Sequence, residues 1–373
     1  MGYYEYVATC LFGLEKFLGD EITSLGYKKI ETIDGRITFS GDEDAIARFN
    51  IFSRYAERLY IKLGNFKATT FTELFDGTKD LPFECFIGPD DAFPVTGSSL
   101  RSKLASIPDC QSIIKKAIVE KLKESYKIDW FKESETLYKV EFFINKDDVT
   151  IMIDTSGAPL HKRGYRQESN AAPLRETLAA AMANIARLRE DVLLWDPFCG
   201  SGTIAIESAM LMTNTAPGIN RTFLAEKFDF LDDNIWKYAR QEAKDKIIKS
   251  DFEVFASDID QKCVSLTKEN AKRANVFNNI RVFKMDMRDI TTNGRRGTII
   301  CNPPYGERLM DKNSVEKLYL DMGRSFLKLD KWQIYIISSI ENFEVLYGKK
   351  ADKIRKFYNG RLKCNYYQYF KNK

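Results

Sequence analysis

The sequence predicts an α/β protein whose C-terminal part is a doubly wound, mostly parallel sheet, preceded by a smaller α+β region. Two observations predict it. The C-terminal half alternates continuous apolar runs (VLLWD, EVFASD, RVFKMD, GTIICNPP, WQIYIISS) with helical segments, as parallel strands covered on both faces require. The N-terminal half instead mixes short alternating strands, a strong hairpin signal and amphipathic helices. At 373 residues the chain has room for two or three domains.

Element by element, YEYVATC reads as a strand and LEKFLGDEITSLG as an amphipathic helix closed by Gly26. KKIETIDGRITFSG is a hairpin turning at Asp34-Gly35. EDAIARFNIFSRYAERL is a second helix and YIKLGNFKA a strand. This β-α-β-β-α-β order over residues 1–65 is the ferredoxin-like pattern. Residues 66–155 form a second block: FTELFDGTKDL, the Pro/Gly-rich PFECFIGPDDAFPVTGSSL, a helix through CQSIIKKAIVEKLKESY, and the strand pair YKVEFFINKD and DVTIMIDTS. Residues 156–175 lack apolar periodicity and read as a linker. Residues 176–373 are the doubly wound domain, opening with the helix RETLAAAMANIARLR and closing on YNGRLKCNYYQYF, a terminal hairpin turning at Asn359-Gly360.

The net charge is +4, too small for a histone-like polycation, but it is unevenly spread. Residues 1–160 carry 20 basic against 26 acidic side chains, the remaining 213 carry 37 against 27. The C-terminal part is where a polyanion would be drawn. Within the N-terminal half, Arg101, Lys103, Lys115 and Lys116 surround a helix start, a phosphate cradle or simply a solvated helix face. Seven cysteines without CxxC spacing argue against a disulfide framework or zinc ribbon and for a reducing cytoplasm. One histidine, His161, serves the whole chain, so no His-rich metal site is expected. No apolar run reaches the ~20 residues of a membrane span.

The chemistry lies at the strand ends. DPFCGSGTIAIESA, from Asp196, runs a strand into a Gly-rich turn and a helix, where open α/β sheets bind ligands. Gly200 and Gly202 allow close backbone approach, yet no Gly-Lys-Ser/Thr follows, so this is not a P-loop. Asp196 is a poor neighbour for a pyrophosphate and suits a cationic ligand such as S-adenosylmethionine (SAM). Asp258 ends the next strand, placed to accept both ribose hydroxyls. Asp286 ends the third, placed for the adenine amine with Met287 against the ring. Any one of these acids is more often a strand-end cap; three successive ones make a pocket. After GTII comes CNPPYGERL. Asn302 Oδ1 and the Pro303 carbonyl can accept from an exocyclic NH₂, Pro303 and Pro304 stiffen the loop, and Tyr305 offers a stacking face for an extruded base. A nicotinamide enzyme is disfavoured by Asp196 and by this motif.

The ordered set DPFCGSGT, SDID, MDM and NPPYGERL resembles the amino-methylating branch of the class I SAM-dependent methyltransferases. With LHKRGYR at 160–166 and APLRETL at 172–178, the chain is most similar to the bacterial THUMP-domain methyltransferases of the 23S rRNA guanine-N2 group, over nearly its whole length. The resemblance implies a ferredoxin-like part, a THUMP RNA-binding part at 66–155, and a class I methyltransferase sheet. It implies SAM as cofactor, with Thr177 at the methionine end, Asp196, Cys199, Gly200, Ser201 and Gly202 along its middle, Asp258 on the ribose, and Asp286 and Met287 on the adenine. Asn302 to Tyr305 would hold the target amine. Together with the helix-start cations, His161, Lys162, Arg163 and Arg166 would lie near RNA, or else form a structural linker. The implied reaction is N2-methylation of a guanosine in 23S rRNA, with no metal. A tRNA guanine-N2 enzyme is the sibling alternative, an adenine-N6 enzyme a more distant one, and a non-enzymatic RNA-binding module the last. The insert 210–250 would shape the base-entry side, with Arg221 toward RNA. The acid-free tail, Arg355 to Lys373, with six basic and six aromatic residues, is assigned mainly to sheet structure, with edge contacts to RNA as a minor role.

Overall fold

In a computed structural model, residues 3–166, 174–304, 312–360 and 362–370 are described. The chain divides into two compact units. The first contains Met1–Cys10, Leu18–Leu160 and Thr222–Glu242; the second contains Leu11–Phe17, His161–Arg221 and Ala243–Lys373.

The first unit runs β1 (Tyr4–Cys10), α1 (Glu15–Ser24), β2 (Lys28–Ile33), β3 (Arg36–Gly41), α2 (Asp44–Phe52) and β4 (Ala56–Lys67). It continues through α3 (Phe71–Lys79), β5 (Val95–Leu100), α4 (Ile107–Tyr126), β6 (Val140–Asn145) and β7 (Asp148–Asp154). Its strands form one sheet in the order β2-β3-β1-β4-β7-β6-β5. The twelve-residue β4 pairs with β1 along its first half and with β7 from Tyr60 onward, so the ferredoxin-like strands and the following block share one sheet. The expected hairpin turns at Asp34-Gly35.

Two elements differ from expectation. The second helix ends at Phe52 because the Glu21 carboxylate takes the Ser53 hydroxyl (2.6 Å) and the Arg54 N–H (2.7 Å), which turns the chain into β4. And VTGSSL, embedded in the Pro/Gly-rich stretch, is a strand parallel to β6. Gly97 permits it: a Cβ there would fall 2.3 Å from the Phe142 carbonyl oxygen.

Residues 222–242, although flanked by methyltransferase-like sequence, belong to the first unit. Phe228 stacks on Tyr138 at 4.4 Å, and the Asp229 N–H donates to the Tyr138 hydroxyl. Arg48 forms a two-pronged ion pair with Glu242 (2.8 and 2.9 Å). This segment is therefore built into the first unit. The start of the expected linker, 156–160, is likewise built in: Ser156 Oγ donates to Asn50 Oδ1, next to Thr155, whose hydroxyl donates to Leu59 O.

The second unit contains α5 (Glu176–Ile185), β8 (Leu193–Asp196), α6 (Thr203–Met212), the end of α7 (Asn234–Asp245), β9 (Val254–Asp258), α8 (Gln261–Arg273) and β10 (Ile280–Lys284). It closes with β11 (Gly297–Cys301), α9 (Lys312–Phe326), β12 (Trp332–Ser338), α10 (Phe343–Tyr347), β13 (Lys353–Asn359) and β14 (Leu362–Tyr369). The sheet order is β10-β9-β8-β11-β12-β14-β13. β10 to β12 are parallel across the centre, and the terminal hairpin adds antiparallel to β12. The chain winds outward from β8 to β10 and then returns to β11 on the other side of β8. The switch point falls between the carboxyl ends of β8 and β11, where such sheets bind ligands. Beneath it, Trp195 packs edge-on against Phe255 and Phe283 and tilts against Trp332.

Among the described residues, no helix is long and apolar enough to cross a membrane, and no cluster of His, Cys, Asp and Glu could hold a metal ion. All seven cysteines are free.

Candidate active site

Each strand-end acid sits where its strand stops, and the chain beyond it turns. Asp196 ends β8 almost wholly buried, 1% exposed, and among the described residues its carboxylate accepts a 3.2 Å bond from the Phe198 N–H. Burial pushes its carboxyl up to about 8, against the partial relief of that N–H and with the nearby Asp258 charge adding to the rise. A carboxyl so buried ionises only at a cost, which a positive charge beside it would offset.

The glycine-rich loop is pinned from three sides. The Cys199 N–H donates to Ser257 O, Gly200 N–H to Asp258 Oδ2 (3.0 Å), and Gly202 N–H to Cys199 O. From α8, the Thr267 hydroxyl donates to Gly200 O and the Asn270 amide to Ser201 O, both at 2.9 Å. Gly202 has φ +84, and a Cβ there would lie 2.8 Å from Thr267 Cγ2. Glycine is thus required by backbone conformation and by space together. Ser201 Oγ bonds Thr203 Oγ1 at the first turn of α6. Burial drives the thiols of Cys199 and Cys301 well above their ordinary range, so neither supplies a thiolate.

Asp258 holds the loop and the start of α8 at once, since its second oxygen accepts from the Asp260 N–H at 2.9 Å. Burial raises its carboxyl, only partly offset by these N–H donors. The intervening Ile259 stands 63% exposed at the strand tip. It is a large apolar side chain left open beside the polar Asp258, and the SDID motif contained it unrecognised. Thr177 lies wholly buried in the first turn of α5.

Asn302 and Pro303 follow β11 directly, and the Asn302 Oδ1 is buried with no hydrogen-bond partner among the described residues. Buried acceptors are nearly always satisfied, so this oxygen marks a place for a donor. The turn is braced from behind. Tyr319 of α9 donates to the Pro304 carbonyl (3.2 Å) and bonds Ser338 Oγ (3.0 Å) at the end of β12. Neither Tyr319 nor Ser338 carried a sequence signal, because their role depends on strand order. Tyr305 lies outside the described residues, as does 167–173 ahead of α5.

In the second unit four expectations need correction. Asp286 does not present a free carboxylate: Arg288 grips it through Nε (2.9 Å) and Nη2 (2.5 Å), and that bond holds its carboxyl below the usual range. Met287 is 4% exposed and belongs to the hydrophobic core, so its side chain is no open stacking face. Arg163 has a side chain 1% exposed, 3.5 Å from the Glu207 carboxylate, with the Tyr165 hydroxyl on the same oxygen. Arg166 is committed to Glu176 (2.7 Å), Leu174 O and Thr203 Oγ1. These two arginines lock 163–166 onto α5 and α6, with Arg166 touching the rim of the glycine loop, and are not surface phosphate contacts. Lys162 is exposed and His161 half-buried beside them.

In the first unit the basic set divides too. Arg101, Lys103 and Lys116 are exposed. Arg101 (φ +51) and Lys103 ride on a turn held by Ser102 and Asp147: the Asp147 N–H donates to Ser102 Oγ, and the Lys103 N–H donates to Asp147 Oδ1. Lys115, by contrast, lies over the Phe93 ring at 3.4 Å and donates to Glu133 (2.6 Å) and Phe93 O. Burial lowers its ammonium's ordinary value, so it is a packing cation and not a phosphate contact.

With this geometry in place, the chain matches three family models: the RlmL ferredoxin-like domain over 5–60, the THUMP domain over 68–154, and the "RMKL-like, methyltransferase domain" over 163–368. It is 46% identical, over 98% of its length and 96% of the relative's, to the "Putative RNA methyltransferase YpsC" of Bacillus subtilis (strain 168). It is 30% identical to the "Ribosomal RNA large subunit methyltransferase K/L" of Psychromonas ingrahamii, where it spans 94% of itself but 48% of the relative. Its fold superposes with a TM-score of 0.93 on "SMU.472, a putative methyltransferase complexed with SAH", at 38% identity, covering 100% of this chain and 99% of that one.

Proposed function

The chain belongs to the RMKL-like methyltransferase family with RlmL ferredoxin-like and THUMP domains, and from that premise we propose that it transfers a methyl group from SAM to the N2 amine of a guanosine in 23S rRNA. It is a SAM-dependent RNA methyltransferase. The observation that carries the amine is the buried, unpartnered Asn302 Oδ1 at the switch point. An exocyclic NH₂ satisfies that acceptor, and the backbone carbonyl of Pro303 offers a second.

The residues present fit the cofactor. Gly200 and Gly202 would leave room for it, Asp258 would accept ribose hydroxyls on lone pairs its two N–H donors do not use, Ile259 would pack on the adenine, and Asp196 would balance the cationic charge. SAM supplies a sulfonium methyl that is already electrophilic, so the chain need not create a strong nucleophile. What its residues do is orient. Asn302 holds the amine hydrogens and draws electron density onto nitrogen, while Tyr319 and Ser338 keep the turn from relaxing. Holding the amine in this closed turn requires the base to leave its stack. Arg101, Lys103 and Lys116 in the first unit, and Lys162 in the second, supply phosphate contacts.

The test is direct. Purified protein with isotopically labelled SAM is offered 23S rRNA, tRNA and DNA, and the nucleosides are resolved by mass spectrometry. Label as N2-methylguanosine in rRNA is expected. Label in tRNA alone would favour the sibling reading, and N6-methyladenosine would overturn the guanosine assignment.

A further inference from the structure

We propose that the outer hairpin of the second unit's sheet is a stacking surface for unpaired nucleotides of the RNA substrate, built on the ring pair Phe12–Tyr358 and flanked by Lys356 and Lys363. The inference rests on the RNA methyltransferase reading above and adds a binding site to it.

Phe12 is 53% exposed and Tyr358 39%, and their rings meet edge to face at 6.2 Å. Large apolar rings left open in a pair are not accounted for by the core. The pair is also held in place. Gly13, with φ +89, seats the loop of Phe12 against β13: a Cβ there would lie 3.3 Å from the Lys356 carbonyl oxygen and 3.6 Å from the Phe357 ring. Phe357 itself is fully buried under this contact.

On the hairpin strands beside the rings the charge is of one sign. Tyr358 pairs across the strands with Lys363, and Lys356 lies two residues along on the same face. Both lysines are exposed. From Lys353 to the end of the sequence there is no acidic residue. One acid stands near the Phe12 loop, Glu15, whose carboxylate accepts the Gly13 N–H at 2.9 Å. Lysines on an edge strand protect it from pairing with other chains, which explains Lys356 but not two open rings. A second copy of this chain would bring the same cations, so like charge disfavours it as occupant. Aromatic faces bordered by cations fit single-stranded RNA, where each base stacks and each phosphate is neutralised.

The experiment uses the full chain and two fluorescein-labelled RNAs, a blunt hairpin and the same hairpin with an eight-nucleotide single-stranded tail. Anisotropy gives Kd at several KCl concentrations, with SAM binding measured separately by calorimetry. The wild type is expected to prefer the tailed RNA. Phe12→Ala/Tyr358→Ala should weaken the tailed RNA about tenfold or more and leave the blunt one within about twofold. Lys356→Glu/Lys363→Glu, which spares the rings, should flatten the salt dependence of tail binding by about one or more in log–log slope. SAM affinity should be unchanged in both. Equal affinity for tailed RNA in wild type and both variants would overturn the proposal, as would a concentration-dependent doubling of mass that the ring variant abolishes. Failure of the wild type to bind either RNA would instead overturn the reading on which it rests.

Discussion

Replacing Asp196 with asparagine should abolish a proton release that accompanies SAM binding. With the carboxyl pushed up to about 8 by burial, roughly nine-tenths of molecules carry the proton at pH 7. A cationic ligand favours the ionised form, so binding expels that proton. About 0.9 proton per SAM is expected at pH 7 and about 0.1 at pH 9. The sign follows: the free form holds the proton and the bound form does not, so SAM affinity rises with pH, close to tenfold per unit from pH 6 to 7, and levels off above 8. S-adenosylhomocysteine, which lacks the sulfonium charge, should bind with almost no proton release. Titration calorimetry at pH 7 in two buffers of different ionisation enthalpy reads the number directly. In Asp196→Asn the release should vanish, SAM should bind about tenfold more weakly, and the product within about twofold of wild type. Undiminished proton release in the variant, or none in the wild type at pH 7, would refute the assignment. The unliganded protein carries the matching signature. A folded-state value raised above the unfolded one stabilises fully below the ordinary carboxylate range, and that contribution is lost as pH rises through about 8. Melting temperature without ligand should therefore fall from pH 5 to pH 8, and SAM should restore it.

Asn302→Ala should lower kcat by about 10²-fold or more while leaving SAM affinity within a few-fold, read by methyl transfer beside calorimetry. Gly202→Ala should remove SAM binding altogether, because both φ +84 and Thr267 oppose the new methyl. Tyr319→Phe deletes the bond to Pro304 and should reduce kcat with little change in KM for SAM, at about 1 kcal/mol of stability by thermal or urea unfolding. Glu207→Ala strands a buried Arg163 and should destabilise the fold by roughly 3–5 kcal/mol; an unchanged melting point would show that the pair is not the buried lock described.

What the sequence made legible was whatever a short window encodes. The glycine loop, the strand-end aspartates and Asn302 are each set by one strand and the turn after it, and all of them were visible. The roles of the arginines were not, because LHKRGYR looks basic until the fold supplies Glu207 and Glu176 from α6 and α5. Asp286 reads as an open acceptor because nothing in a strand-end aspartate shows that Arg288, two residues on, folds back onto it. Strand β5 escaped because its polar, glycine-bearing sequence is tolerated only against Phe142. Tyr319 and Ser338 reach the site from elements placed by the sheet order alone.

The interleaving of the two units has a consequence for synthesis. Strand β4 cannot gain β7 until residue 154 has emerged, and the first unit lacks Thr222–Glu242 until some 80 residues later. At ordinary translation speeds of ~5–20 residues per second, the nascent unit waits roughly 4 to 16 seconds with Tyr138 uncovered by Phe228. Meanwhile Leu11–Phe17 must wait for β13, made about 340 residues later. Neither unit is finished before the other has begun, so slowly synthesised chains, and chains truncated ahead of β13, should be prime clients of chaperones.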